Sequence, residues 1–364
     1  SGNAIFDNPE NSNQNKKIIN NQNALNFFLD KHNIQPKKIK ETIKDFTKLK
    51  VCVFGDIIID EYIQCDTIGM SQEDGSVVAS PSAKKYYLGG AGIVAAHINS
   101  LGSRSFFYSV IGKDDTSKHA KKFIKKYNIK SFIIEDSSRK TTLKQRYKNQ
   151  KNTLLRLNTL SSHEINSNIQ RKLLSNFKKR INDFDLIIFS DFNYGCLPQK
   201  LVDEITKIAK LKNIPIVADS QSSSQLGNIS RFKSLNLITP TEREARIVTL
   251  NEKDGLVILC EKLKKISKAK NIILKLGTDG LLIHKGSVSK NAWGTDVIPI
   301  LNTNPVDVSG AGDALLVGSS LCLALKKDMW ISSLVGACVA AVQVSQEGNI
   351  PIDKKKLLLT FENL

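Results

Sequence analysis

Asp307-Val-Ser-Gly-Ala-Gly-Asp313, which runs directly into the apolar stretch 314–325, is the segment that decides the fold. Gly310, Ala311 and Gly312 are small enough for a tight turn at a helix start, where backbone N–H groups stay free. The helix dipole adds positive partial charge at the same place, so a transferred phosphate can sit there without a lysine. Asp313 falls in the first helical turn, with Asp307 ahead of it in the same short segment. Two carboxylates beside a phosphate make chemical sense where one accepts the proton of an attacking hydroxyl and metal ions screen the rest. The plain alternative is a glycine turn whose aspartate only caps the helix, and Gly-Ala-Gly by itself does not separate the two.

Outward from this turn, short apolar runs alternate with helical stretches. Residues 50–54 form an apolar run that ends in Gly55-Asp56, and a second run reaches Asp60. Further strands are expected at 105–111, 185–190, 214–218, 235–238 and 272–276, separated by lengths suited to βαβ units, which predicts an α/β fold on a mostly parallel central sheet. Two segments break the rhythm, 61–88 and 141–158, with short alternating strands and turn residues. They are expected to form a small antiparallel β lid that closes over a substrate or pairs with a partner's copy, a structural hairpin being the alternative. Residues 1–48 read as a disordered lead followed by linker helices over 24–46, leaving 49–364 as one domain.

Composition narrows the function classes. The 364 residues are 41% hydrophobic, which is ordinary for a globular chain. No run approaches the roughly 18 apolar residues of a membrane span, and the N-terminal stretch lacks a signal peptide's apolar centre, so a cytoplasmic location is expected. Six scattered cysteines without a C-x-x-C pair signal neither a zinc site nor a disulfide framework. The formal charge of +18 is spread over helical stretches such as 118–126 and 262–270 without interleaved aromatics. A solvated basic face explains it better than a nucleic-acid partner, and its field suits an anionic substrate.

With Asp-Val-Ser in front, Gly-Ala-Gly-Asp resembles the C-terminal signature of the ribokinase/PfkB carbohydrate kinases. The resemblance runs from about Lys50 onward through Gly55-Asp56, Asp60, Gly89-Gly90-Ala91, Ser190-Asp191 and Leu276-Gly277-Thr278-Asp279-Gly280. It implies a ribokinase-like three-layer fold, transfer from ATP with Mg²⁺, Asp313 as base, and, in the catalytic turn that starts at Gly310, the amides of Ala311, Gly312 and Asp313 as anion hole. Within the family the chain looks most like the kinases of heptose 7-phosphate, through Gly55-Asp-Ile-Ile-Ile-Asp60-Glu-Tyr, Met70-Ser-Gln-Glu-Asp74 and Thr141-Thr-Leu-Lys144-Gln-Arg146. That likeness implies Asp56, Asp60, Gly89, Gly90 and Asp307 around the sugar, and Lys144, Arg146 and Arg156 on its existing phosphate. Asp191, Lys275, Gly277 and Gly280 fall to the nucleotide side, and Glu244 to the metal. A homodimer joined through the lid is implied as well, and 18–48 is similar to linkers that join such kinases to an upstream nucleotidyltransferase.

Some positions depart from the pattern: Tyr194 where a lysine is frequent, Thr241 for an asparagine, Lys275 for a threonine, and Ile93 for the asparagine that contacts the sugar. His97 or Asn99 are the nearby polar groups left to compensate. A loose dinucleotide fingerprint, Gly90-x-Gly92-x-x-Ala95 with Asp114 and Asp115 about twenty residues on, offers an oxidoreductase as the rival. Its place after the lid instead of after the first strand argues against it. A catalytically weak sugar-phosphate-binding or regulatory module is the other alternative.

Overall fold

In a computed structural model of the protein, residues 18–150, 152–222, 226–289 and 292–362 are described, and the lead expected before residue 18 lies outside them. Two helices come first, α1 (Gln22–Lys31) and α2 (Pro36–Asp45), then β1 (Lys50–Gly55), the long strands β2 (Ile57–Met70) and β3 (Val77–Gly90), and α3 (Ala91–Ser100). Next are β4 (Arg104–Ile111), α4 (Asp115–Lys126), β5 (Lys130–Glu135) and the hairpin β6 (Thr142–Asn149) and β7 (Asn152–Thr159). The chain continues through α5 (Ser167–Arg180), β8 (Leu186–Asp191), α6 (Gln199–Leu211), β9 (Ile216–Ser220), β10 (Leu237–Ile238), α7 (Glu242–Thr249) and α8 (Leu256–Ser267). It closes with β11 (Asn271–Lys275), β12 (Leu281–Ser289), β13 (Ala292–Ile298), α9 (Ala311–Ala324), α10 (Met329–Gln343) and α11 (Lys354–Leu359).

Nine strands form one sheet in the order β13-β12-β11-β10-β9-β8-β1-β4-β5, parallel except at the β11-β12-β13 edge. Val51, Cys52, Val53 and Phe54 of β1 are all buried, as a central strand covered on both faces requires. Helices α3, α9 and α10 cover one face around Ala91, Leu316 and Leu334. Helices α5, α6 and α8 cover the other around Phe177, Ile205 and Leu263, which gives the expected three layers.

The second sheet, β3-β2-β6-β7, is the lid. It is the expected small antiparallel sheet, built as two antiparallel hairpins that meet in a parallel β2–β6 seam. The cause is the intervening β4-α4-β5 crossover, which returns the chain to the lid in the direction of β2. The helices before residue 49 are no free linker. Leu25, Phe28, Ile39, Ile43 and Phe46 belong to the same core as Val51 and Leu334. Asp296 holds Lys31 at 2.8 Å and His32 at 2.6 Å, and His32 stacks on Trp330. Their apolar spacing makes a face that needs a partner, and the body supplies it. The six cysteines are buried and unpaired, and among the described residues no helix is long and apolar enough to cross a membrane.

Candidate active site

The start of α9 opens into a cleft of about 1590 Å³ that is also lined by Gln221, Glu244, Lys275 and Gly277. It lies at the carboxyl ends of β9 and β11, where open α/β sheets bind ligands. Gly310 is the N-cap of α9 with φ 76°, and a Cβ there would lie 2.1 Å from Asn349 Oδ1, so glycine is required. The Ala311 N–H reaches the Val308 carbonyl only at 3.3 Å, and those of Gly312 and Asp313 meet no acceptor among the described residues. Free amides at a helix N-terminus are what an incoming anion needs.

Asp313 is 5% exposed at the floor of this turn. Burial pushes its carboxyl up to about 8; Asp219 and Asp60 add to the rise, and Lys275 and Lys144 oppose it. Gln221 Nε2 donates to Oδ1 at 3.2 Å, while Oδ2 accepts nothing from the described residues. A carboxylate with one oxygen held and the other open is equipped to take a proton.

The lid faces this carboxylate with cations. Lys144, Arg146 and Lys148 alternate along β6 and so share a face. Arg146 Nη1 donates to Ser309 Oγ at 2.6 Å, its Nη2 lies 3.9 Å from Asp60, and its guanidinium covers the Tyr62 ring. Lys148 Nζ is 5.0 Å from that same ring, and Lys144 stands over the rings of Phe192 and Tyr194. Arg156 sits directly opposite Arg146 across the β6–β7 pair, and like charges so placed repel unless an anion lies between them. Asp60 is buried beside these cations; burial raises its pKa and Arg146 and Lys144 oppose the rise, while Asn349 Nδ2 donates to its Oδ2 at 3.2 Å.

Other expected site residues also have structural partners. Asp56 anchors a loop: Oδ2 accepts from the Phe192 and Tyr194 amides at 2.9 and 3.3 Å, and Oδ1 from the Cys196 amide at 3.2 Å. Burial and the nearby Asp191 push its carboxyl up to about 6. Asp191 is taken up by Arg231 at 2.7 Å, the Ser220 hydroxyl and the Asn193 amide. Asp307 accepts from the Tyr62 hydroxyl and the amides of Ser309 and Gly348, bracing the turn. Glu244 lines the cleft, yet its oxygens accept the amides of Thr241 and Ser222, and Thr241 Oγ1 caps α7 in return. A buried carboxylate must fill its lone pairs, and loop amides at strand ends are the nearest donors.

The glycines divide similarly. Gly277 lines the cleft, whereas a Cβ on Gly280 would strike the Ile298 carbonyl, so Gly280 serves the β11–β12 turn. Gly89 lets Asp60 approach, with 2.4 Å between its missing Cβ and Oδ2, and Gly90 turns with φ 59° into α3. Ile93 is wholly buried in the core. His97 Nδ1 accepts the Ile352 amide, and Asn99 bonds the carbonyls of Tyr127 and Asn128, so neither makes up for it at the cleft. The sequence reading missed Asp219, Gln221, Asn349, Tyr62 and Lys148; only Lys148 carried a local signal, continuing the alternation of Lys144 and Arg146. The Gly90-x-Gly92 fingerprint follows β3, a lid strand antiparallel to β2, and so lacks the βαβ setting of a dinucleotide site.

A profile described as pfkB family carbohydrate kinase matches residues 48–356. The bifunctional protein HldE of Campylobacter jejuni strain RM1221 is 28% identical over 308 residues, 84% of this chain and 63% of that protein. The bifunctional protein HldE of Aliarcobacter butzleri is 29% identical over 294 residues, 79% of this chain and 59% of that protein. The chain thus spans about three fifths of the length of these relatives. Phosphofructokinase-2 of Escherichia coli in complex with potassium has a similar structure, with a TM-score of 0.68 at 15% identity, covering 86% of this chain and 98% of the other. Ribokinase of Arabidopsis thaliana complexed with ribose and ATP gives 0.64 at 15% identity, covering 86% and 99%. At these identities the likeness shows the ribokinase-like fold.

Proposed function

The chain belongs to the pfkB family of carbohydrate kinases, and from that premise we propose that it transfers the γ-phosphoryl group of ATP to the anomeric hydroxyl of a heptose 7-phosphate-like sugar. The observation that carries this reading is the pair of facing charges across one buried carboxylate: free amides at the start of α9 on one side of Asp313, and the cation-bearing lid on the other. An unphosphorylated sugar gives Arg146, Lys148 and Arg156 nothing to hold; a sugar phosphate does.

In this mechanism Asp60 accepts hydrogen bonds from sugar hydroxyls, and Asp313 Oδ2 takes the proton of the attacking hydroxyl. The sugar oxygen forms its bond to the γ-phosphorus as the bond to the β,γ-bridging oxygen breaks, and ADP leaves. The amides of residues 311–313 receive the charge on the transferring group, with no covalent enzyme intermediate. Among the described residues no cluster of three or more His, Cys, Asp or Glu side chains could hold a metal. Glu244, which lines the cleft, is the residue that would help hold a Mg²⁺ ion brought in with the nucleotide. Bound there, the ion supplies neutralisation of phosphate charge. The lid excludes water from the transfer.

The same lid exposes Ile68, Met70, Val77, Val78, Leu154 and Leu155, an apolar patch that a second copy of the chain would cover in a dimer. Ile68→Asp is expected to shift the light-scattering mass toward monomer. The intact mass of the native protein tests a fusion to a nucleotidyltransferase. ADP release across a panel of heptose and hexose phosphates tests the activity. Turnover confined to phosphorylated sugars is expected; a silent wild type would favour a binding module.

A further inference from the structure

We propose that Asp219 and Lys275 form a built-in cation site for the transferring phosphoryl group, with Lys275 as a catalytic residue that contacts it and Asp219 as the residue that positions Lys275. This rests on the reading of the 310–313 turn as the place of transfer.

Strands β9, β10 and β11 are neighbours in the parallel part of the sheet, and Asp219, Thr239 and Lys275 stand at or just beyond their carboxyl ends. Lys275 Nζ donates to Asp219 Oδ1 at 2.9 Å and to Oδ2 at 3.1 Å, and the Thr239 hydroxyl donates to Oδ1 at 3.1 Å. The two ends of the pair differ in access. The Asp219 side chain is 1% exposed, that of Lys275 13%, and only Lys275 is among the residues lining the cleft. An ammonium has three N–H donors. Two are spent on Asp219, and the third meets no acceptor among the described residues. The nitrogen lies against the anion-binding turn, 3.3 Å from where a Cβ on Gly312 would be.

A buried ion pair is a poor source of stability, since desolvation offsets most of the attraction. A pair sealed at its acid and open at its base makes better sense as a fixed charge aimed at a ligand. Burial works to discharge Lys275, but Asp219, Glu244 and Asp313 hold its pKa raised, so it meets the nucleotide as a cation. The other charged groups acting on this ammonium are the carboxylates of Asp219 behind it and of Glu244 and Asp313 in the cleft lining. A rigid ammonium there acts where charge moves during transfer, as oxyanion-hole donors do, without reorganising.

The test is calorimetry on the full chain with MgADP, alone and with aluminium fluoride, which stands in for the transferring phosphoryl group. Wild type is expected to bind ADP more tightly with fluoride. Asp219→Asn combined with Lys275→Met removes both charges together and so spares the fold, as thermal unfolding will show. That variant is expected to lose about 100-fold of the fluoride-dependent gain, with affinity for MgADP alone changed less than about threefold, whereas Lys275→Arg keeps most of the gain. A second readout is one that packing alone would not move. Asp313 is faced by Asp219, Asp60, Lys275 and Lys144. Lys275→Met should therefore move the acid limb of kcat/KM to higher pH, and Asp219→Asn to lower pH. An undiminished gain in the double variant, no gain in wild type, or limbs that stay in place overturn the proposal. If Asp313→Asn is inactive while the double variant keeps its fluoride gain, only this inference falls. If Asp313→Asn turns over normally, the transfer-site reading falls with it.

Discussion

The body and the lid hold their charges in opposite ways. In the body, Asp56, Asp191 and Asp307 are spent on loop amides and ion pairs, whereas Asp313 Oδ2 accepts no hydrogen bond from the described residues. On the lid, Lys144, Arg146 and Lys148 line one strand face, with Arg146 and Arg156 set against each other. On the proposed reading this divides the roles: the body holds the groups for transfer in fixed places, and the lid, where two arginines oppose one another, is the part that would select the substrate.

The sharpest way to break this division is Asp313→Asn. It should lower kcat by about 10²–10⁴-fold, the usual worth of a general base, with ATP affinity nearly unchanged in calorimetry. The same variant has a stability signature. The folded pKa of Asp313, about 8, lies above the ordinary carboxylate value, so its contribution to stability is full at low pH and is lost as pH rises through about 8. Asp313→Asn escapes that loss and should melt higher than wild type above pH 8, but not near pH 4.

Next in size is the pH profile of wild type. A base that ionises near 8 makes kcat/KM fall toward tenfold per unit below it, about 50-fold between pH 8 and pH 6. A flat profile would move the base elsewhere. On the lid, Arg146→Met should cut kcat/KM for the phosphorylated sugar by about 10–100-fold, the worth of a charge-assisted bond, and leave ATP KM alone. Equal losses on unphosphorylated sugar would place Arg146 in the body's class of braces. The smallest effect on catalysis is expected from Asp56→Ala. It strands three buried amides and should cost about 3 kcal/mol in urea unfolding, with kcat of the folded fraction nearly unchanged.

What could be read in advance follows the same line. The 307–325 segment was legible because small residues, a carboxylate and an apolar helix sit next to one another in the chain. The alternation of Lys144 and Arg146 was legible because strand periodicity is local. The anchoring of Asp56 was not, since its partners are backbone amides some 140 positions away that any sequence would supply. Asp219 looked like any polar residue at a strand end until Lys275 closed on it from two strands over. The parallel seam of the lid depends on the direction in which a crossover returns, and the docking of α1 and α2 depends on a face of α10 and β13 that their own periodicity cannot name.

The most direct measurement is a crystal structure of the chain with a non-hydrolysable ATP analogue, Mg²⁺ and heptose 7-phosphate. On the proposed mechanism the γ-phosphorus lies over the amides of residues 311–313, with the anomeric oxygen about 3 Å from Asp313 Oδ2. A γ-phosphate bound away from that turn, or an Asp313 that keeps only Gln221 for company while the sugar hydroxyl faces another group, would contradict it.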